Sequence, residues 1–196
     1  FYLKTIFPTP YTGLHEWTMS YAIKLDRNKD NQAVLSPDFY SRVTADGALQ
    51  MKVGETDDPK AFAKTKLQPG KWYYIAWVYK NQHVRCYING VLDNEFDVPK
   101  VETFTKLNMS WGAFEGYVRE IRLYDKALTA FQIADNLYIE TPDNPDLLFY
   151  APLDKKTGIK DVSKKQNTIK VYVPGSGDGT EYDQSLITWS NEKFPE

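Results

Sequence analysis

Residues 70–96, GKWYYIAWVYKNQHVRCYINGVLDNEF, read as three β-strands joined by two tight hairpins. In the first, 72–79, aromatic and β-branched residues fill both alternating positions, as expected of a central strand covered on each side. Lys80-Asn81-Gln82-His83 turns the chain. In the second strand Val84, Cys86 and Ile88 point one way, while Arg85, Tyr87 and Asn89 point the other. Asn89-Gly90 then calls for a second hairpin, because a type I′ turn needs positive φ at both central residues.

The same period of two extends outward. Residues 17–25 place Trp17, Met19, Tyr21, Ile23 and Leu25 on one face, and 33–36 continues in β register. Residues 39–43 pair with 49–53 through Asp46-Gly47. Leu67-Gln68-Pro69-Gly70 is the turn that launches the Trp72 strand. Residues 103–111 and 116–124 are further strands on either side of a Gly112/Gly116 loop. One helix is expected, at about 130–138. Thr129 is its N-cap, Gln132 completes a capping box, and Leu128 with Ile133 forms a hydrophobic staple. Phe131, Ala134 and Leu137 or Tyr138 would supply the apolar stripe. Beyond the TPDNPD linker, 147–153 and 167–173 are strand-like and 174–183 is a Gly-rich loop. These patterns predict an all-β chain: a two-sheet antiparallel jelly-roll sandwich with one short helix.

Composition narrows the function. The chain has 196 residues, 42% hydrophobic and 15% aromatic, enough for one substantial core. Net charge is −2 with acids and bases interleaved, which argues against a nucleic-acid partner. The single cysteine, Cys86, sits mid-strand among apolar residues and reads as a core thiol. No apolar run approaches the ~20 residues that span a bilayer. The chain starts at Phe1 without a Met, which suggests an excerpt or processed product with further domains upstream.

GKWYYIAWVY, a short turn and VRCYINGVLD together resemble the laminin G-like domains of the concanavalin A-like lectin/glucanase superfamily, in which a Tyr-x-Asn-Gly turn recurs. FEGYVREIRLYDKALTAFQI (114–133) is similar to the closing segment of bacterial modules of this kind. DLLFYAPLDKKTGIKDVSKKQNTIKV resembles their opening, with an Asp-x-Ser-x-x-x-Asn loop, yet it stands near the end of this chain. We therefore expect a sandwich over 1–140 and a C-terminal extension, 141–196, that packs on or completes it, since about fifty residues seldom hold a separate core. Similar tails follow such sandwiches in surface proteins of glycan-foraging bacteria.

The resemblance implies an extracellular or cell-surface binding module, with a glycan as the expected ligand. A glycoside hydrolase, or a structural or protein–protein module, is the alternative. Retaining glucanases of this superfamily carry Glu-x-Asp-x-(x)-Glu on one strand. Glu95-Phe96-Asp97 is the nearest match and lacks the second Glu, so no catalytic residue is expected. With His15, His83 and Cys86 as the sole His and Cys, zinc is excluded. No cofactor is expected, although calcium is considered because relatives hold it with loop carboxylates. Asp26-x-Asn28-x-Asp30 has half of an EF-hand spacing, but Asn31 replaces the Gly and Pro37 the closing Glu. Asp57-Asp58 and Asp178-x-x-Glu181-x-Asp183 are further loop carboxylates. For a sugar, an exposed aromatic platform with a nearby hydrogen-bond donor is the expected device. Trp111, beside the Gly112 loop, and Tyr40 with Arg42 are the candidates.

Overall fold

The computed structural model describes residues 2–30, 32–52, 62–109, 114–137, 142–173 and 180–190. The strands are β1 (Tyr2–Tyr11), β2 (Glu16–Leu25), β3 (Gln32–Pro37), β4 (Tyr40–Val43), β5 (Ala48–Lys52), β6 (Phe62–Lys66) and β7 (Trp72–Lys80). After them come β8 (His83–Ile88), β9 (Val91–Asp97), β10 (Phe104–Met109) and β11 (Gly116–Tyr124). The helix α1 (Ala130–Asp135) precedes β12 (Leu147–Ala151), β13 (Ile169–Val173) and β14 (Thr180–Glu181). Two antiparallel sheets form the sandwich. One has the order β14-β13-β1-β10-β3-β4-β5-β6, and the other β12-β11-β2-β7-β8-β9.

The central hairpins follow the expected chemistry. Asn81 and Gln82 take φ of 49° and 67°, and Asn89 and Gly90 take 51° and 80°, the left-handed values of tight hairpin turns. Strand β7 is covered on both sides. Ile75, Trp77 and Tyr79 enter the core between the sheets, while Tyr74, Ala76 and Val78 join a second cluster on the outer face of the six-stranded sheet. Aromatics dominate the inner core: Trp17 stacks on Tyr79 at 5.2 Å and meets Phe39 and Phe104 edge-on. Their polar atoms are satisfied. Trp17 Nε1 donates to the Val101 carbonyl and Trp77 Nε1 to Ser41 Oγ, so burial does not strand a donor.

The outer cluster is closed by α1. Thr129 and Gln132 form the reciprocal capping box, and Leu128 and Ile133 are buried as staple residues. The helix is shorter than its sequence suggests, ending at the Asn136 cap; Tyr138 lies outside the described residues. Phe131 is 78% exposed rather than part of an apolar stripe. Two residues before Ile133, it points about 200° away from the face that meets the sheet.

Three strands escape the pattern reading: β1, β6 and the two-residue β14, which lies in the segment expected to be a Gly-rich loop. Strand β1 carries Pro8 and Pro10, which interrupt alternation, and its pairing with β10 is irregular between Ile6 and Tyr11. Strand β6 is short and polar because it is an edge. Asp93 of β9 accepts from the backbone N–H groups of Lys64 and Thr65 on β6, so these bonds tie the edges of the two sheets together.

Each sheet takes a strand from the C-terminal part of the chain: β12 pairs with β11, and β13 pairs with β1. The Asp-x-Ser-x-x-x-Asn segment holds them. The Asp161 carboxylate accepts from the backbone N–H groups of Tyr150, Ser163 and Asn167, and from the Asn167 amide. Asn167 Nδ2 also donates to the Leu148 carbonyl. Four donors on one buried carboxylate make this motif structural.

Candidate functional site

Lys24, near the end of β2, is registered with Trp72 on β7 and with Tyr117 on β11. Residues registered across a sheet share a face, so the two aromatic rings flank Lys24, 6.2 Å apart and tilted by 49°. The Lys24 ammonium lies over the Tyr117 ring at 5.5 Å. Gly116 lets β11 begin here. Its φ is +149°, and a Cβ would fall 2.2 Å from the Lys24 carbonyl oxygen.

These rings form part of the wall of a cleft of about 720 Å³ at the end of the sheet where β7 and β11 begin. Tyr2 and Leu3 bring in the eight-stranded sheet, the 153–159 turn forms another side, and the 187–190 segment supplies Trp189. That last segment is fastened. Gln184 Nε2 donates to the Ile169 carbonyl, and the Tyr182 N–H to that of Val171. Trp189 follows a turn capped by the Asp183 carboxylate, and Ile187 packs on the inner core.

The polar groups of the cleft come chiefly from one turn. Arg119, Asp154, Lys155 and Lys156 line it. Asp154 accepts from the Thr157 N–H and hydroxyl, and lies 3.8 Å from the Arg119 guanidinium. Burial works to raise its pKa, but the hydrogen bonds from Thr157 and Lys156 and the Arg119 charge together hold it below the ordinary carboxylate value. It is therefore an anion already engaged. Among the described lining residues Asp154 is the sole carboxylate.

A bulge separates this site from a buried ion pair. Between Arg119 and Arg122 the β11–β2 register shifts, and Glu120 takes φ of 55°. Before the bulge Tyr117 and Arg119 line the cleft; after it Arg122 and Tyr124 stand on the same outer face of the sheet, as their registers with Lys24, Ala22, Ser20 and Thr18 on β2 show. Arg122 Nη2 donates to Glu120 Oε2 at 2.7 Å, and Nη1 donates to Tyr74 Oη and to the Asn136 carbonyl. Tyr150 Oη donates to the same Glu120 oxygen. The sequence motif Glu120-Ile121-Arg122 is thus a structural pair.

Glu95 and Asp97 lie outside the cleft, exposed on the edge strand β9, where both face His83. The Asp97 hydrogen bond, aided by Glu95 and opposed by partial burial, raises the His83 pKa above its ordinary value. This pairing stabilises the fold below about pH 6.5 and is lost as pH rises through the higher folded-state value. A proton-detected titration should place His83 above 6.5, and Asp97→Asn should bring it down. An unchanged midpoint would contradict the pairing.

Of the residues singled out from sequence, Tyr40 and Arg42 are brought together on one face of β4, both half-buried, with Arg42 Nε donating to Gln50 Oε1. They do not line the cleft: β4 is three strands from β1, roughly 14 Å at normal spacing. Trp111, Asp57, Asp58 and Asp178 lie outside the described residues. In the turn 26–30, Arg27 and Lys29 both bind Glu115, and Gln32 Nε2 donates to the Arg27 and Lys29 carbonyls. Among the described residues no cluster of three or more His, Cys, Asp or Glu could hold a metal ion. Likewise, no helix among them is long and apolar enough to cross a membrane.

Sequence reasoning missed Trp72, Tyr117 and Trp189. A signal existed for the first two: each stands at the mouth of a strand within two residues of a glycine, Trp72 after Gly70-Lys71 and Tyr117 directly after Gly116.

A laminin G-like family model, described as concanavalin A-like lectin/glucanases superfamily, matches residues 4–134. No curated protein matches the sequence. Among solved structures, a Bacteroides ovatus protein provisionally described as carbohydrate-binding is similar, with a TM-score of 0.70 at 21% identity. The likeness covers 86% of this chain and 57% of that one, so this chain spans little more than half of it. Domain 4 of a GH43 extracellular arabinanase from Geobacillus stearothermophilus, solved with arabinotriose, gives 0.52 at 23% identity over 63% of this chain and 66% of its own. A heptameric SAP-like pentraxin from Limulus polyphemus gives 0.53 at 17% identity, covering 68% and 73%. At these identities the likeness establishes the fold, a jelly-roll of lectin type.

Proposed function

This chain belongs to the concanavalin A-like lectin/glucanase superfamily, and we propose that it is a non-catalytic module that binds a carbohydrate in the cleft at Trp72. The observation that carries this reading is the cleft itself. Trp72, Tyr117 and Trp189 offer apolar ring faces to pyranose C–H groups, and Arg119 with the 154–156 turn offers polar groups to hydroxyls. Its volume of about 720 Å³ suits a short oligosaccharide. The descriptions of the Bacteroides and Geobacillus proteins point the same way. Glycoside hydrolysis ordinarily needs two carboxylates flanking the scissile bond. Among the described cleft residues Asp154 is the one carboxylate and does not supply the pair, which favours binding over turnover.

Trp111 belongs to this proposal as an added platform, being three residues from Phe114 in the cleft wall. Tyr40 and Arg42 are proposed as a separate, secondary contact. An extracellular or cell-surface setting, further upstream domains, and a tail shared with bacterial surface proteins complete the reading; calcium is retained only as a loop-bound accessory.

A glycan array probed with the wild type and Trp72→Ala tests it. Removing an aromatic anchor typically costs about 2 kcal/mol, some thirtyfold in affinity. The expected result is a defined set of glycans bound by the wild type and lost in the variant, with the circular dichroism spectrum unchanged. Wild-type binding that survives in Trp72→Ala would move the site elsewhere, and release of reducing sugar would make the protein an enzyme.

A further inference from the structure

The cleft is cationic within an acidic protein. The whole chain carries a net charge of −2, yet the described cleft wall holds Arg119, Lys155 and Lys156 against Asp154 alone. Asp154 and Arg119 offset one another across 3.8 Å, and Asp154 is further committed to Thr157. Lys155 and Lys156 are different. Both are exposed at the lip of the cleft, and among the described residues no carboxylate pairs with either. The turn that presents them is rigid: Asp154 binds the Thr157 hydroxyl and N–H, and its carbonyl accepts the Gly158 N–H at 2.7 Å.

A neutral sugar needs no such charge. Two uncompensated ammonium groups beside an aromatic wall match a saccharide with apolar ring faces and an anionic substituent. Resting on the carbohydrate reading above, we propose that the ligand is an acidic oligosaccharide, its carboxylate or sulfate group held by Lys155 and Lys156 while its rings lie against Trp72 and Tyr117. Partly exposed charge pairs contribute little each and are screened by salt. Preference for acidic over neutral sugars should therefore be about tenfold at low salt and shrink at high salt.

Calorimetric titration of the full chain with three hexasaccharides separates the possibilities: an oligogalacturonate, a chondroitin sulfate and a neutral xylan fragment. Tighter binding of an acidic hexamer, reduced to the neutral level in Lys155→Gln/Lys156→Gln, supports the proposal. The better of the two acidic arms distinguishes carboxylate from sulfate recognition. Equal binding of neutral and acidic hexamers, or an acidic preference that survives in the double variant, overturns the charge inference and leaves the carbohydrate reading standing. If no hexamer binds in any arm, and a broad glycan array is also blank, both fall.

Discussion

A chain that ends at residue 140 should fail to fold. The shortened protein keeps every strand through β11 and the helix, but loses β12 from one sheet and β13 and β14 from the other. With them go Leu147, Leu148, Phe149, Ile169 and Val171, all buried. At about 1.5–3 kcal/mol for each large apolar side chain, the loss is on the order of 10 kcal/mol. A domain of this size is stable by about 5–15 kcal/mol in total. The truncation also opens the β1 and β11 edges to aggregation and removes Asp161, which organises the returning strands. The expected result is insoluble protein, or soluble protein without a cooperative thermal transition. Full-length melting behaviour in the shortened chain would show that residues 141–196 are a dispensable appendage.

The second large effect concerns the ion pair under α1. Arg122 is fully buried, and its partner Glu120 nearly so, with Tyr74 and Tyr150 supplying hydroxyls. Removing one member of a buried pair leaves a desolvated charge and typically costs 3–5 kcal/mol. Arg122→Met should therefore lower stability by about that amount, measured by urea unfolding. Glu120→Gln/Arg122→Met removes both charges and should recover a good part of it. A single variant within about 0.5 kcal/mol of the wild type would mean that the pair is hydrated in solution.

The fold was readable because its signals are local. Alternation across Trp17 to Leu25 and Trp72 to Tyr79, positive-φ turns at Asn89-Gly90, and the Thr129/Gln132 cap each depend on a few neighbouring residues. Strand β1 was not readable, since Pro8 and Pro10 break its pattern and partners distant in sequence hold it in the sheet. The site is harder for the same reason, taken further. Its described wall is assembled from residues 2–3, 72, 114, 116–119, 153–156, 159 and 187–190, and no single stretch carries enough chemistry to announce it. Trp72 reads as the first residue of a buried strand, and only the register through Lys24 shows that it stands beside Tyr117. Tyr40 and Arg42 share a face of β4, as alternation dictates, but alternation says nothing about which concavity a face overlooks.

The five tryptophans provide the most direct test of carbohydrate binding in the cleft. Their indole N–H resonances can be followed by nuclear magnetic resonance during titration with the best glycan from an array. Trp17 and Trp77 are buried in the inner core, each donating to a protein oxygen, and serve as internal controls. Saturable shifts at Trp72 and Trp189, with Trp17 and Trp77 unmoved, are the predicted result; a shift at Trp111 would add it to the platform. A saturating glycan that leaves both Trp72 and Trp189 unmoved would contradict the assignment of this cleft as the binding site.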